Sequence, residues 1–317
     1  MNGNDCLQLG SLSFTSNLIQ GPLAGYSCQP FRELFNQFKP PAYCVSEMIS
    51  AHDVIAKHQL GSRYLYRSTA EQILCYQISG TEPDVMAKAA IRLQEIGADI
   101  IDINCGCPKR KIRKKGAGSA LLENHQVLLA IVSKVRDAIS IPLTVKIRIL
   151  DPDSDIALAQ KLERIGIDAL IVHGRRWDSD YDVACNLAAI KNIKQQVAIP
   201  VIANGDIKGR DSLANAITKS MCDAFMISRA GCGSPWLYQE LLEDNFDAGA
   251  ISTEEKLYCF MTHLQGLCTL EDEHKAVLQS KNLVRYYFRH YLTQDFLTKF
   301  YQQSSLLLVD KTLREHL

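Results

Sequence analysis

The sequence predicts an α/β protein: a parallel (β/α)8 barrel of the TIM type, followed by a small all-helical C-terminal domain. Three observations predict it. Eight short β-rich runs alternate with helical stretches through residue 243, the joints between them recur, and beyond residue 251 the pattern is helical throughout. Eight strand–helix units of comparable length suit a closed parallel barrel. An open doubly wound sheet is the rival, but no glycine fingerprint follows the first strand, as a dinucleotide fold would want.

The strands are expected at 17–23 (NLIQGPL), 43–48 (YCVSEM), 73–78 (ILCYQI), 99–104 (DIIDIN), 142–147 (PLTVKI), 168–173 (DALIVH), 199–204 (IPVIAN) and 223–228 (DAFMIS). Between the third and fourth, Pro83 opens a helix and Gly97 closes it, with Met86, Ala90, Leu93 and Ile96 on one face. "GADII" at 97 and "GIDAL" at 166 share a helix-ending glycine, an aspartate and a strand, and "CDAFM" at 222 repeats the form without the glycine. "ISIPLTV" at 139 and "VAIPVIA" at 197 share another joint. The polar stretch 245–256 marks a boundary, with Ser252 and Glu255 spaced as a capping box. Beyond it Leu257, Phe260, Met261, Leu264 and Leu267 form one helical stripe. Residues 1–245 are read as the barrel and 251–317 as the helical appendage.

Composition narrows the class. Apolar residues make up 47% of 317, enough for a full core, and Lys plus Arg equal Asp plus Glu at 35 each. A polyanionic partner must therefore be held by a local patch. The cysteines number 11, an odd count with no framework spacing, which suits free thiols in a reducing compartment. The first twenty residues carry no Lys or Arg and no long apolar core, so no signal peptide is expected. No apolar run is long enough to span a bilayer. The expectation is a cytoplasmic monomer with no membrane and no metal partner.

The chemistry is expected at the carboxyl ends of the strands, where inward polar residues usually serve a site. Asp102 and Asn104 share one face of their strand, and Thr144, Lys146 and Arg148 share one face of theirs. A buried lysine without a partner is costly, so Lys146 implies an anion or a carboxylate inside. Gln77 and His173 end two further strands, and Asn204, Gly205 and Asp206 end another. These groups either satisfy one another in a structural network or form a site. The loops "NGDIKGR" and "SRAGCGSPW" follow the last two strands, a frequent phosphate position in such barrels. There Gly205, Gly231 and Gly233 would let backbone N–H groups approach an anion, and Arg229 adds charge.

"IDINCGCPKRKIRKKGAGSALL" (101–122) sets two cysteines one residue apart. Zinc would need more ligands than Cys105 and Cys107 offer, and a disulfide suits a reducing compartment poorly. Cys105 reads as a buried filler. Cys107, past the strand end and before Pro108, reads as a mostly protonated thiol able to donate a proton. Six of the seven residues 109–115 are basic, which beside the barrel mouth points to a polyanion entering the site. A second basic set, Lys281, Arg285 and Arg289, falls on one helical face with Tyr286 and Tyr287 beside it, able to track a phosphate backbone.

Several stretches together resemble one family, the bacterial tRNA-dihydrouridine synthases, and most of all its B-type branch. They are "GPLAGYSCQPFR" (21–32), "VSEMIS" (45–50), "YQISG" (76–80), "DINCGCP" (102–108), "GAGSALL" (116–122), "VKIR" (145–148), "VHGR" (172–175), "PVIANGDI" (200–207) and "SPWLY" (234–238), with a weaker likeness at "SKNLVRYY" (280–287). The resemblance implies an FMN-bound barrel that uses NADPH to reduce uridine in tRNA to 5,6-dihydrouridine. It implies that Pro22, Leu23, Ala24, Gln77, Lys146, His173, Asn204, Gly205, Asp206, Ser228 and Arg229 hold FMN and that Cys107 is the general acid. Lys146 would face the pyrimidine side of the flavin, and Cys107 would protonate carbon 5 of uracil from the face opposite the hydride. Asn104 would orient the base. Lys109, Lys111, Arg113, Arg148, Arg175, Lys281 and Arg285 would meet substrate or RNA.

The chain also departs from that pattern. Gln20 and Leu23 replace the usual small residue and methionine, Ser228 stands for Gly, Arg113 for Asn, Asn282 for His, and "ILDPDS" follows Arg148 in place of Gly-Trp. Two other readings share some of these features: a flavin barrel acting on a free pyrimidine, and a non-catalytic RNA-binding protein. Cys28, Cys44, Cys185 and Cys259 receive no role, and Cys75 is expected in the core.

Overall fold

A computed structural model of the chain describes residues 7–180 and 182–317. Eight parallel strands close a barrel: β1 (Leu18–Gln20), β2 (Cys44–Val45), β3 (Leu74–Ser79), β4 (Ile100–Cys105), β5 (Leu143–Arg148), β6 (Ala169–His173), β7 (Val201–Asn204) and β8 (Ala224–Ile227). Each pairs in parallel with the next, and β8 returns to β1 with Met226 beside Ile19. Closure removes the edges that an open sheet would expose. All eight lie where the sequence places strands. β2 is the shortest, and a further pair, Ile49–Ser50, lies beside the end of β3.

Alternation assigns the faces. Ile19, Val45, Cys75, Ile100, Ala169, Ile171, Ile202, Ala224 and Met226 bury one apolar cluster in the barrel. Two residues further along the same faces come Gln77, Asp102, His173 and Asn204, all buried. The barrel therefore has an apolar floor and a polar upper layer. An N-terminal hairpin, Leu7–Leu9 with Leu12–Phe14, adds Leu7, Leu9 and Phe14 to the apolar cluster. Strands of three residues are too short to show a period, and this hairpin left no sign in the sequence.

The helix Pro83–Glu95 starts at its proline, and Gly97 beyond it takes φ +93°. Gly166, which ends the helix Pro152–Ile165, takes the same φ of +93°. The left-handed region is open to glycine at little cost. The third joint lacks that glycine, and Met221 ends the helix Arg210–Ser220 at φ +54° instead.

The chain divides into two compact units. The barrel unit runs up to residue 24 and includes 41–58 and 72–228; the helical unit takes 25–40, 59–71 and 229–317. The helical unit thus starts earlier than residue 251 and recruits two segments from the first half of the chain. Its core holds the expected Leu257, Phe260, Leu264 and Leu267 together with Cys28 and Leu34 of a recruited segment. The buried Arg32 holds the two segments together: it pairs with Glu71 (Nη2–Oε2 3.0 Å) and donates to the carbonyl of Tyr66 (3.0 Å). The helix Thr253–Leu270 opens with the expected capping box, in which Glu255 N–H donates to Ser252 Oγ (3.2 Å) and Ser252 N–H to Glu255 Oε2 (2.8 Å). Among the described residues no helix is long and apolar enough to cross a membrane.

Met221 is 59% exposed, so its side chain contributes little packing to offset its backbone strain. Met221→Gly is expected to stabilise the protein by about 1 kcal/mol. Thermal unfolding checks this, and a lowered midpoint would count against it.

Candidate active site

The polar layer is built from hydrogen bonds whose direction one carboxylate sets. Thr144 Oγ1 donates to Asp102 Oδ1 (2.6 Å) and Gln77 Nε2 donates to Asp102 Oδ2 (2.7 Å). The Gln77 amide is thereby oriented, and its Oε1 accepts from Asn104 Nδ2 (2.8 Å). Asn104 Oδ1 is then turned to the backbone N–H groups of Gly106 (3.2 Å) and Cys107 (3.0 Å). An ionised carboxylate can only accept, so Asp102 fixes both amides and, through them, the start of the Cys107 loop. Burial pushes the Asp102 carboxyl up to about 6, while the bonds from Thr144 and Gln77 and the charge of Lys146 hold it from rising further. Much of the polar layer is therefore the mutual network that the sequence offered as one alternative.

Lys146 stands apart from it. Its ammonium is buried, and among the described residues Nζ donates to Asn204 Oδ1 alone (2.8 Å), a neutral amide. No carboxylate among the described residues forms an ion pair with it. Burial pulls its pKa down to about 8, against the attraction of Asp102 on the neighbouring strand. Two ammonium donors are left for something else. Asn204 is held in turn by donating from Nδ2 to the Met226 carbonyl (2.8 Å) and, more weakly, to Ser228 Oγ (3.5 Å). Gln20 Nε2 reaches the carbonyls of Gly21 (2.9 Å) and Ser228 (3.3 Å). Two of the unusual residues, Gln20 and Ser228, thus meet one another. A Cβ on Gly21 would stand 2.7 Å from Ser228 Oγ, so the start of the Pro22-Leu23-Ala24 loop packs directly on that serine.

The ends of β6 and β7 form a third group. Arg175 is almost fully buried, and its Nη2 grips both carboxylate oxygens of Asp206 (2.6 and 2.7 Å). Burial works to raise the Asp206 carboxyl, but the bonds from Arg175 and from Cys185 N–H prevail and hold it below the usual range. That clamp keeps Asp206 at φ +57°, a strained value for a non-glycine residue. Gly205 precedes it at φ +130°, where a Cβ would stand 2.7 Å from Cys185 Sγ and 3.2 Å from the His173 ring. Burial lifts the Cys185 thiol to about 11, and Sγ donates to the Asn204 carbonyl (3.6 Å).

Several of the expected site residues have partners within the protein. Arg175 and Arg148 are both engaged internally: Arg148 Nε donates to the Gly106 carbonyl (2.8 Å) and Nη1 to the Arg176 carbonyl (3.0 Å). Gly233 does not need an anion to explain it, because a Cβ there would stand 2.5 Å from the Tyr286 backbone. Ser228 ends the barrel unit, and the exposed Arg229 opens the helical one in a single 3-10 turn, Arg229–Gly231. The second basic set also changes. The helix Glu273–Tyr287 stops before Arg289, and Tyr287 is a core residue whose hydroxyl meets His263 Nδ1 (3.3 Å). Arg285 is exposed and Lys281 half-buried. In the first basic set, Lys109, Arg110, Lys111, Lys114 and Lys115 are exposed while Arg113 turns inward. Cys107 is half-buried, and its Sγ makes no hydrogen bond to any described residue, whereas Cys105 and Cys75 are fully buried. Among the described residues no His, Cys, Asp and Glu side chains gather as a metal site.

The family model for dihydrouridine synthases (Dus) matches residues 19–307. The chain belongs to the dihydrouridine synthase family. Among curated relatives, the tRNA-dihydrouridine synthase B of Shewanella oneidensis is 36% identical over 287 residues, covering 89% of each chain. That of Vibrio cholerae is 38% identical over 238 residues, covering 74% of each. Among solved structures, a variant of NCR from Zymomonas mobilis aligns with TM-score 0.55 at 15% identity, over 81% of this chain and 95% of that one. Histamine dehydrogenase from Rhizobium sp. 4-9 aligns with TM-score 0.56 at 12% identity, over 82% and 50%. At such identities these structures speak for the barrel fold alone. In this dihydrouridine synthase, the family stretch "DINCGCP" supplies the Asp102–Asn104–Cys107 arrangement, and "VKIR" supplies Lys146 and Arg148.

Gln77→Leu would strip partners from Asp102 Oδ2 and Asn104 Nδ2 together. It is expected to cost about 2–5 kcal/mol, since each buried polar group left unpaired carries its own penalty. Denaturant unfolding measures this, and a loss under about 0.5 kcal/mol would show that the network contributes little.

Proposed function

We propose that this chain is an FMN-dependent tRNA-dihydrouridine synthase, reducing uridine in tRNA to 5,6-dihydrouridine with NADPH as reductant, and that it works as a cytoplasmic monomer. Family membership and the names of the curated relatives support the reaction. The observation that carries the cofactor reading is the Lys146 ammonium, buried at the top of the barrel with donors to spare and no ion pair among the described residues.

The residues present fit a flavin mononucleotide. Lys146 would meet the electron-rich pyrimidine side of the ring, where a fixed cation favours added negative charge. Asn204, bonded to Lys146, and Gln77, held by Asp102 and Asn104, would flank the ring, and the Pro22-Leu23-Ala24 loop and His173 would complete the ring site. The backbone N–H groups of Gly205 and Asp206, with Ser228, would take the phosphate, and Arg229 adds charge next in the chain. Bound FMN supplies the chemistry of accepting hydride from NADPH and delivering it to carbon 6 of uracil.

The rest falls to the protein. Cys107 Sγ gives its proton to carbon 5, so that the C5=C6 double bond gains one hydride and one proton, and the thiolate is reprotonated from water. Asn104 holds the backbone N–H groups of Gly106 and Cys107 and would orient the base. The uridine must leave its stack to reach the barrel mouth. The exposed Lys109, Arg110, Lys111, Lys114 and Lys115 are available to phosphates there. In the helical unit, Lys281 and Arg285 would also meet RNA.

Purified protein is expected to show oxidised-flavin absorbance and to form dihydrouridine in tRNA but not in free uridine. Cys107→Ala is expected to keep the flavin and lose turnover by about 100-fold or more, as removal of a proton donor does. Wild-type turnover in that variant would remove the acid from Cys107. Lys109→Ala and Lys111→Ala should each weaken tRNA binding and lower the slope of log affinity against log salt by about 1. Unchanged slopes in a filter-binding titration would place the RNA elsewhere.

A further inference from the structure

Of the six basic residues in 109–115, Arg113 alone is turned into the protein. Its guanidinium carbon lies 3.4 Å from the centroid of the Trp177 ring, in the loop after β6. Its Nη2 donates to both oxygens of Glu123 (2.9 and 3.1 Å). Its Nη1 donates to Ser119 Oγ (3.0 Å), and that hydroxyl donates onward to the carbonyl of Cys107 (3.0 Å). Ser119 N–H reaches the same carbonyl (3.1 Å). The side chain is 16% exposed.

We infer that Arg113 is a positioning residue for Cys107: stacked on Trp177 and chelated by Glu123, it fixes Ser119 and through Ser119 the backbone of the proton donor. The inference rests on the reading of Cys107 as the acid.

Three further observations agree with it. Arg148 makes a second, independent tie between the same two loops, from the Gly106 carbonyl to the Arg176 carbonyl, so both residues at the thiol's approach are anchored to 176–177. Gly118 packs so closely that a Cβ would stand 2.8 Å from the Cys107 carbonyl, which leaves the loop little freedom once the ties are made. The Trp177 indole Nε1 is buried without a hydrogen-bond partner among the described residues, so that edge of the ring is not held by a hydrogen bond of its own. A phosphate contact would need only a positive charge, which lysine also provides. This arrangement needs a planar fork that can stack, chelate and donate at once, which lysine does not.

That difference sets the experiment. Holoenzymes carrying Arg113→Lys, Trp177→Leu and Cys107→Ala are compared with the wild type in four measurements. These are flavin reduction by NADPH, flavin reoxidation at saturating tRNA, tRNA affinity by filter binding, and the rate at which iodoacetamide alkylates Cys107, read by mass spectrometry of the Cys107 peptide. Arg113→Lys and Trp177→Leu are expected to slow reoxidation by about 10- to 100-fold, the effect of displacing a reacting group by an ångström or so. NADPH reduction and tRNA affinity should stay near wild type, and Cys107 alkylation should quicken in both variants. If Arg113→Lys reoxidises at the wild-type rate while Cys107→Ala does not, the positioning role is overturned and the acid stands. Loss of tRNA affinity alone, or unchanged alkylation in both variants, overturns it as well. Wild-type reoxidation in Cys107→Ala overturns the acid and the inference together.

Discussion

A buried ammonium without a carboxylate partner among the described residues is the constraint around which the barrel is arranged. Lys146 is one of the most expensive side chains a protein interior can hold, and among the described residues its hydrogen bond is to the Asn204 amide. Burial accordingly lowers its hold on the proton. Asp102 lies on the adjacent strand and could have closed an ion pair. It is occupied instead by Thr144 and Gln77. The carboxylate orients the amides and the cation is left with donors to spare, so charge and its natural partner are kept apart inside one polar layer. Such an arrangement costs stability, and it is consistent with a site for an anionic group.

The rest of the layer follows from hydrogen-bond direction. Asp102 accepts, Gln77 passes that polarity to Asn104, and Asn104 passes it to the backbone before Cys107. One carboxylate thus reaches the loop that carries the thiol. On the opposite side of the barrel, the Arg175–Asp206 clamp maintains a strained turn after β7. Two of the unusual residues, Gln20 and Ser228, are in contact and belong to the same local packing around Gly21.

The eight strands and the polar face were legible because alternation is a strong signal: Asp102 and Asn104 between isoleucines, Lys146 between Val145 and Ile147, left little choice of direction. The helix-ending glycines at 97 and 166 were legible because the left-handed φ selects for glycine. What the sequence hid was long-range. Nothing near Arg113 in the chain announces Trp177, 64 positions later, and six basic residues among seven read as one surface. Arg148 and Arg175 read as contacts for substrate or RNA because their acceptors inside the protein, backbone carbonyls and the Asp206 carboxylate, come from distant stretches of the chain. Gly233 read as an anion cradle because close approach to the Tyr286 backbone leaves no mark in the sequence. The recruitment of 25–40 and 59–71 into the helical unit depends on the Arg32–Glu71 pair, whose members are 39 residues apart.

The central claim is that Lys146 is held without a carboxylate in order to receive the flavin, and flavin affinity measured against pH tests it most directly. With its pKa pulled down to about 8, Lys146 loses its charge as pH rises from 7 to 9. A titration of flavin-free protein with FMN, followed by fluorescence quenching, should show affinity falling across that window. In Lys146→Met affinity should be at least about tenfold weaker at pH 7, a difference of one pKa-unit equivalent, and nearly independent of pH. Equal affinity and the same pH dependence in both proteins would contradict the account.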